Sequence, residues 1–411
     1  MEQGETLFIR EHREEDVREV ALLAAKRTDI DGRFVAEQIA GWQRARTKLP
    51  SWAATDGIIF PPQLAMEQCS SEQTARYKAA LARRWLSQQT PPAEIELVAL
   101  ERVMIDLTGG FGIDHAALAP IFTRTFFIEK QTNLCDIARH NFALLGLTQT
   151  EVRCGDCTEL LPALPPAALI YADPARRDAQ GNRTYAITDC TPDIIALLPL
   201  LIRRAGIIML KLSPMLDWHQ TVVALNHAAG AEVVREVHIV AAANECKELL
   251  VVVGGGSSHL MINCVNDDEV FTYCPDEGRG NAVPIVEGGE RLEGWWLFEP
   301  NAALMKAGCF GEVCWRYGLK AIAANSHLFV SDSPVADFPG RQFRISGMSS
   351  MNKKELRENF SGITRANITT RNFPMSVADL RRRLHLADGG DTYIFATTRS
   401  DGTKVLLKTE K

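Results

Sequence analysis

The stretch "VMIDLTGGFGIDHAAL" (103–118) combines residue types that favour binding of a small ligand. Its first apolar run ends at Asp106, and Gly109, Gly110 and Gly112 follow within seven positions. A strand that turns through glycines into a helix brings backbone N–H groups close to a ligand. The order Gly-Gly-Phe-Gly differs from the dinucleotide fingerprint G-x-G-x-x-G. A carboxylate at the end of this strand repels a pyrophosphate and attracts an ammonium group.

Three further acids follow later strands. Glu129 ends the second predicted strand, Asp156 lies after the third in "CGDC", and Asp173 follows the fourth in "YADPARR". Each acid alone could be a helix N-cap. Ligands of doubly wound sheets bind outside the carboxyl ends of the strands, where these four acids fall in succession. Because S-adenosylmethionine carries an amino group, a carboxylate and a ribose but no phosphate, we predict that it is the cofactor.

The elements that must position these acids alternate between strand and helix from about residue 101 to 256. Continuous apolar runs interleaved with helices indicate a parallel sheet that is covered on both faces. The last two strands are joined only by "AANEC", which is typical of a hairpin. We predict an α/β fold with a doubly wound, seven-stranded sheet, whose strands are "RVMID", "TFFIEK", "TEVRCGD", "ALIYADP", "GIIMLKLS", "AEVVREVHIV" and "KELLVVVGG".

The flanking regions have other patterns. Residues 1–95 have apolar residues at helical spacing and end near Pro91 and Pro92, so a helical N-terminal region is predicted. Residues 257–330 read as a small ferredoxin-like α+β domain, with strands in "HLMINCVN", "EVFTYCP" and "PIVEGG". Residues 331–411 read as strand, helix, strand, helix, strand, strand. The predicted domains are therefore 1–95, 96–256, 257–330 and 331–411.

The motifs "DLTGGFG", Glu129, Gly155-Asp156 and "ADPARR" occur in the order of a class I S-adenosylmethionine-dependent methyltransferase, which residues 70–256 resemble. The whole chain resembles a bacterial group of such enzymes that have a THUMP-like C-terminal module and are predicted to act on RNA. That second resemblance depends on "NITTRNFP", "LRRRL" and "YIFATT". It implies a Rossmann-like methyltransferase sheet with a C-terminal α+β module.

The resemblance assigns roles to individual positions. It implies that Glu129 holds the ribose, that Asp156 and Cys157 border the adenine, and that Phe111 lies over the methionine half of the cofactor. Cys157 could equally be a small core residue. The residues expected to line the methionine half are Asp106, Thr108, Gly109, Gly110 and Gly112.

The stretch after the fourth strand indicates the reaction. Many nitrogen methyltransferases carry Asn or Asp, two prolines and an aromatic residue there, and the acid accepts a hydrogen bond from the target N–H. Asp173 and Pro174 fit this pattern, whereas Ala175 and Arg176 replace the second proline and the aromatic residue. Arginine can stack on a base or pair with phosphate. The predicted catalytic residues are Asp173, Pro174 and Arg176, and the predicted substrate-binding residues near them are Arg177, Lys211 and Ser213.

Charge and composition restrict the function classes further. The net charge is −6, but residues 341–411 carry fourteen Lys and Arg against seven Asp and Glu, which is +7 and leaves −13 elsewhere. A basic module on an acidic body fits a polyanion such as tRNA or rRNA, with Arg381, Arg382 and Arg383 as candidate contacts. The basic residues could also merely solvate a small domain.

Ten scattered cysteines without zinc spacing predict reduced thiols, no metal site and a cytoplasmic location. No apolar run is long enough for a transmembrane helix.

Two classes of function remain open beside RNA methylation. The enzyme could methylate a small molecule or a protein, with the C-terminal module selecting the substrate or forming a dimer. Alternatively, the chain could bind the cofactor without catalysis. A cysteine nucleophile, Cys190 or Cys246, would be needed only for carbon methylation of a pyrimidine. The sequence leaves the oligomeric state open.

Overall fold

The computed structural model describes residues 3–88, 102–176, 187–254, 259–275 and 282–411. The chain divides into two compact units. The first comprises Met1–Arg235 with Leu250–Ser258, and the second comprises Glu236–Leu249 with His259–Lys411. Arg177 lies outside the described residues, and the side chain of Arg176 is not described either.

The first unit begins with helices, as the sequence predicts. Asp16 and Asp31 accept hydrogen bonds from the first backbone N–H groups of α2 and α3 and so cap both helices. Trp52 and Phe60 pack with the β1–α7 region in one hydrophobic core. The helices are α1 Gln3–His12, α2 Val17–Ala24, α3 Gly32–Lys48, α4 Pro50–Ala53, α5 Gln63–Gln68 and α6 Glu72–Gln88.

Five parallel strands form the centre of the first unit. They are β1 Val103–Asp106, β2 Arg124–Glu129, β3 Thr150–Cys154, β4 Ala167–Ala172 and β7 Ala205–Leu212. A two-stranded ribbon of β5 Ala175–Arg176 and β6 Cys190–Thr191 follows β4. The helices are α7 Ile113–Leu118, α8 Thr132–Leu144, α9 Cys157–Leu160, α10 Ile194–Arg204 and α11 Trp218–Ala229, with 3-10 turns at Ala119–Ile121, Leu161–Ala163 and Ile187–Asp189.

The first sheet has nine strands rather than the predicted seven, in the order β11-β10-β8-β9-β7-β4-β1-β2-β3. β8 Val234–Ala242 and β9 Glu245–Gly254 are joined by Ala243 and Asn244, whose φ angles of 50° and 59° are typical of a two-residue hairpin turn. The additional strands are β10 Met261–Asn266, parallel to β8, and β11 Glu269–Tyr273. From the sequence, both strands were expected in the domain 257–330. They join this sheet because β8 is buried along most of its length and its outer edge needs a hydrogen-bonding partner.

A second sheet has seven strands in the order β13-β14-β12-β15-β18-β17-β16. β12 pairs with β15, so this sheet is continuous across residue 330, where the sequence places a domain boundary. The predicted strand "PIVEGG" forms only an isolated bridge between Ile285 and Ala321. The strands are β12 Trp296–Pro300, β13 Lys320–Ala321, β14 Phe329–Ser331, β15 Gly340–Ser349, β16 Asn367–Thr370, β17 Tyr393–Thr398 and β18 Lys404–Glu410; the helices are α12 Ala302–Ala307, α13 Phe310–Tyr317, α14 Lys353–Phe360 and α15 Val377–Leu384.

Candidate active site

The turn between β1 and α7 depends on its glycines for two different reasons. A Cβ atom at Gly109 would lie 2.2 Å from the Phe127 ring, so the close approach of backbone and ring admits only glycine. Gly110 and Gly112 have φ angles of 57° and 88°, which disfavour other residues. The Gly110 N–H donates to Glu129 Oε2 at 2.8 Å, and the Gly109 N–H donates to the Ile128 carbonyl at 2.8 Å. The turn is therefore held against the end of β2.

Asp106 lies beneath this turn and is only 1% exposed. Its Oδ1 accepts the Thr108 N–H at 3.1 Å, and its Oδ2 lies 3.5 Å from Nδ1 of the buried His115. Burial raises the pKa of Asp106, against the opposing effect of His115. The carboxylate is therefore covered and orients the turn, and its contact with the methionine half of the cofactor stays a prediction.

Glu129 and Asp156, at the ends of β2 and β3, are both partly exposed. Glu129 Oε1 accepts the Gln131 N–H at 2.8 Å, so both of its oxygens are fixed by backbone donors. Asp156 caps α9, accepting the Thr158 N–H at 2.9 Å, and it also pairs with Lys130 at 3.2 Å. Hydrogen bonds from Thr158, with a smaller effect of Lys130, lower the pKa of Asp156.

Two further predicted cofactor contacts, besides Asp106, are buried. Phe111 is 4% exposed and packs in the core, with its ring centroid 4.9 Å from that of Trp52 and 6.4 Å from that of Phe60. The ring therefore packs against the N-terminal helices, and its contact with the cofactor stays a prediction. Cys157 is also buried, and burial raises the pKa of its thiol to about 11. That environment fits the core alternative for Cys157.

Asp173 follows β4, and both its backbone N–H and its carboxylate form hydrogen bonds. Its backbone N–H donates to Thr108 Oγ1 at 2.6 Å, which connects the end of β4 to the glycine turn. Its Oδ2 accepts from Lys211 Nζ at 2.5 Å. Pro174 is buried, and Arg176 lies in the ribbon opposite Cys190. Asp173, Thr108 and Lys211 are thus brought together at the carboxyl ends of β1, β4 and β7.

A buried carboxylate that was not predicted from the sequence, Asp114, lies in the first turn of α7, two residues after Gly112. Asp114 Oδ2 accepts from Ser70 Oγ and Tyr171 OH, both at 2.7 Å, and Oδ1 lies 3.1 Å from Lys78 Nζ. Lys211 Nζ lies 3.9 Å from Asp114 Oδ2. Burial raises the pKa of Asp114, but the two lysines and the two hydroxyl groups outweigh burial and lower it to about 2.

One sequence signal could have revealed this group. Lys78 occupies the apolar face of α6, at helical spacing from the buried Ala75, Leu81 and Ala82, and it is itself fully buried. A lysine at such a position requires a carboxylate partner. The partners Ser70, Tyr171 and Lys211 are distant in sequence, so no local pattern connects them.

The remaining predicted site residues differ in their surroundings. Ser213 is buried, and its Oγ accepts the Met215 N–H at 3.1 Å within the turn after β7. In the second unit, Arg381 forms an ion pair with Asp388 and Arg382 forms one with Asp379, whereas Arg383 is exposed.

Within the described ranges, no group of three or more His, Cys, Asp or Glu residues is arranged to hold a metal ion. No helix in that same part of the chain is long and apolar enough to cross a membrane.

Comparison with known proteins identifies relatives of both parts of the chain. A THUMP domain-like family model matches residues 340–411, and a ferredoxin-like domain model matches residues 296–339. An uncharacterized S-adenosylmethionine-dependent methyltransferase of Mycobacterium tuberculosis, found in strains CDC 1551 and H37Rv, is 26% identical over 69% of this chain and 74% of its own length. A crystal structure from Porphyromonas gingivalis W83, ascribed to a methyltransferase, is 33% identical, covers 99% of this chain and 97% of its own, and has a TM-score of 0.83. The chain therefore belongs to the S-adenosylmethionine-dependent methyltransferases that carry a THUMP-like C-terminal domain.

Proposed function

We propose that this methyltransferase modifies a nitrogen of an RNA base and that Asp173 accepts the hydrogen bond from the target N–H. The observation that carries the proposal is the position of Asp173, which is fixed by Thr108 and Lys211 at the carboxyl ends of the strands. The chemistry of a carboxylate acceptor supports a nitrogen target. The basic THUMP-like module supports an RNA substrate.

The residues around the glycine turn fit S-adenosylmethionine. Thr108, Gly109, Gly110 and Glu129 are partly exposed, and a Cβ atom at Gly110 would meet only the Thr108 carbonyl, at 3.9 Å. This side of the turn therefore leaves space for a ligand. Glu129 is oriented by two backbone donors and keeps lone pairs for ribose hydroxyl groups. When bound there, S-adenosylmethionine supplies an electrophilic methyl group.

Asp173 would act on the nucleophile. A carboxylate that accepts the N–H of an exocyclic amine orients the nitrogen lone pair, and such positioning accounts for much of the rate in group transfer. The same carboxylate can take the proton that the nitrogen loses on methylation. Lys211 holds the carboxylate in place through a charge-assisted hydrogen bond.

The second unit would bind the phosphate backbone. Residues 341–411 carry a charge of +7, and Lys353, Lys354 and Arg357 are exposed on α14. Arg383 is exposed on α15. Side chains of this kind contribute salt-dependent and largely sequence-independent affinity for nucleic acids.

The experiment is methyl transfer from tritiated S-adenosylmethionine to total RNA from cells that lack this protein. We expect tritium in RNA with the wild-type chain and at most about 1% of that rate with Asp173→Asn, a loss typical of a general acid or base. Binding of S-adenosylmethionine, measured by calorimetry, should be unchanged in the variant. Asp136→Asn, which removes the acid of an exposed ion pair with Arg139, is the matched control.

Other outcomes identify the alternatives. Tritium in protein or in a small-molecule extract, with none in RNA, would replace RNA by that substrate class. Cofactor binding without transfer to any fraction would indicate a non-catalytic protein. Full activity of Asp173→Asn would show that "DPARR" has a structural role only.

A further inference from the structure

We propose that Asp114 and Lys78 are positioning residues for methyl transfer: Asp114 holds the Lys211 ammonium group against Asp173, and Lys78 compensates the charge of Asp114. The inference rests on the proposed role of Asp173 as the hydrogen-bond acceptor for the target nitrogen. It extends the active site to α6 in the N-terminal helical region, which the sequence analysis treated separately from the methyltransferase sheet.

Asp114 connects three elements of the first unit. Its Oδ2 accepts from Tyr171 OH on β4 and from Ser70 Oγ before α6, each at 2.7 Å. The same oxygen lies 3.9 Å from Lys211 Nζ on β7. A carboxylate that is 8% exposed and pairs with several donors is fixed in one orientation.

Lys211 lies between two carboxylates that have different surroundings. Its Nζ is 2.5 Å from Asp173 Oδ2, which is partly exposed, and 3.9 Å from the buried Asp114 Oδ2. The lysine side chain is only 12% exposed. Its long side chain has several rotamers, and the attraction of Asp114 favours those that place the ammonium group beside Asp173.

Lys78 explains how Asp114 can stay ionised in this position. Lys78 is fully buried, and its Nζ lies 3.1 Å from Asp114 Oδ1 and 3.2 Å from Ser70 Oγ. Breaking a buried ion pair is costly because it leaves a charge without compensation. The ion pair between Lys78 and Asp114 therefore fixes helix α6 against α7. We infer that α6 is a fixed part of the active site rather than a mobile lid.

Acylation of lysine amines with acetic anhydride, quantified by mass spectrometry, tests the positioning without knowledge of the substrate. In Asp114→Asn we expect Lys211 to be acylated severalfold faster, because its ammonium group loses one of the two carboxylates that restrain it. Lys48, whose Nζ donates to the Met66 and Glu67 carbonyls in the same unit, is the internal reference for an intact fold. Asp136→Asn is again the matched control.

The double variant Lys78→Met with Asp114→Asn separates positioning from stability. It removes both buried charges, so we expect its thermal unfolding temperature to recover relative to Asp114→Asn alone. Lys211 acylation should nevertheless stay fast, and kcat should remain lower than that of the wild type, on the order of 100-fold, with an unchanged KM for S-adenosylmethionine.

Two results would overturn the inference. If Lys211 is acylated in Asp114→Asn at the same rate as in the wild type, with the rate of Lys48 unchanged, then Asp114 does not restrain Lys211. Recovery of both stability and kcat in the double variant would assign the pair to folding alone. If the wild-type chain methylates no RNA, the proposed function fails, whereas the acylation experiment still decides whether Asp114 restrains Lys211.

Discussion

The carboxylates that follow the first four parallel strands differ in exposure, and this difference decides what each can do. Asp106 is covered by the glycine turn, whereas Glu129, Asp156 and Asp173 are partly exposed. The covered Asp106 orients the backbone around it, whereas the partly exposed acids are accessible to a ligand. Glu129 and Asp173 are therefore the acids on which binding and transfer should depend most.

Cofactor binding should respond differently to two amide substitutions. We expect Glu129→Gln to weaken S-adenosylmethionine binding by about tenfold or more, because a neutral amide forms weaker hydrogen bonds than a carboxylate. Asp106→Asn should weaken binding by less than about threefold, because the side chain is covered by the turn and an amide oxygen can still accept the Thr108 N–H. Calorimetric titration of both variants measures the difference. Equal losses in the two variants would contradict the separation of roles.

The buried Asp114 makes a pH-dependent contribution to stability. Its pKa is lowered to about 2 in the folded chain from an ordinary value of 3.8, so its ionised form stabilises the fold above pH 4 and loses this effect as the pH falls towards 2. The difference in unfolding free energy between wild type and Asp114→Asn should therefore shrink by about 1 kcal/mol from about pH 6 to pH 3. Urea unfolding at both pH values measures it, and a constant difference would contradict the assignment.

At the scale of secondary-structure elements, the β1–α7 turn is shaped by the strand beside it. A Cβ atom at residue 109 would overlap the ring of Phe127 on β2, and a Cβ atom at residue 112 would overlap the ring of Phe142 on α8. Packing therefore requires these glycines, in addition to any requirement from a bound ligand. A glycine-rich turn alone would not distinguish these two causes.

A compensating pair of substitutions tests this packing. Gly109→Ala should lower the unfolding temperature and the affinity for S-adenosylmethionine, because its methyl group overlaps the Phe127 ring. Adding Phe127→Leu should restore part of the affinity, since the smaller side chain leaves room. Gly4→Ala, whose nearest neighbour would be Ile30 at 3.8 Å, is the control. No recovery in the double variant would place the requirement for glycine in the ligand contact itself.

The elements that were predicted from the sequence have local signals, and the features that were not predicted depend on long-range contacts. The parallel strands were identified because each is a continuous apolar run, and the hairpin because only a short link joins β8 and β9. The pairing of β10 with β8, which extends the first sheet, was not predicted because it is a long-range contact that no local pattern indicates. Asp114 was missed for the same reason, since Tyr171 lies 57 residues away.

At the scale of the whole molecule, residues 1–340 are acidic, with a net charge of −13, whereas residues 341–411 are basic, with a net charge of +7. This asymmetry of charge was visible in the sequence, but the surroundings of the basic side chains were not. Arg381 and Arg382 pair with acids of their own module, and Arg383 is exposed. Of the three predicted contacts, Arg383 is therefore the best candidate for binding phosphate.

RNA binding should depend on salt in proportion to the number of phosphate contacts. We expect Arg383→Gln to weaken binding and to reduce the slope of log K against log salt by about one. Arg382→Gln should have a smaller effect, because its guanidinium already pairs with Asp379. Filter binding between about 50 and 200 mM salt measures both slopes. Slopes equal to that of the wild type would remove α15 from the RNA-binding surface.

The central claim is that Asp173 directs a methyl group to a base nitrogen of RNA. The most direct measurement is mass spectrometry of nucleosides from RNA of cells that lack this protein, after incubation with S-adenosylmethionine carrying a deuterated methyl group. We predict a deuterated N-methyl nucleoside with the wild-type chain, absent with Asp173→Asn and present with Asp136→Asn. A deuterated ribose or base-carbon product, or equal labelling by Asp173→Asn, would contradict the claim.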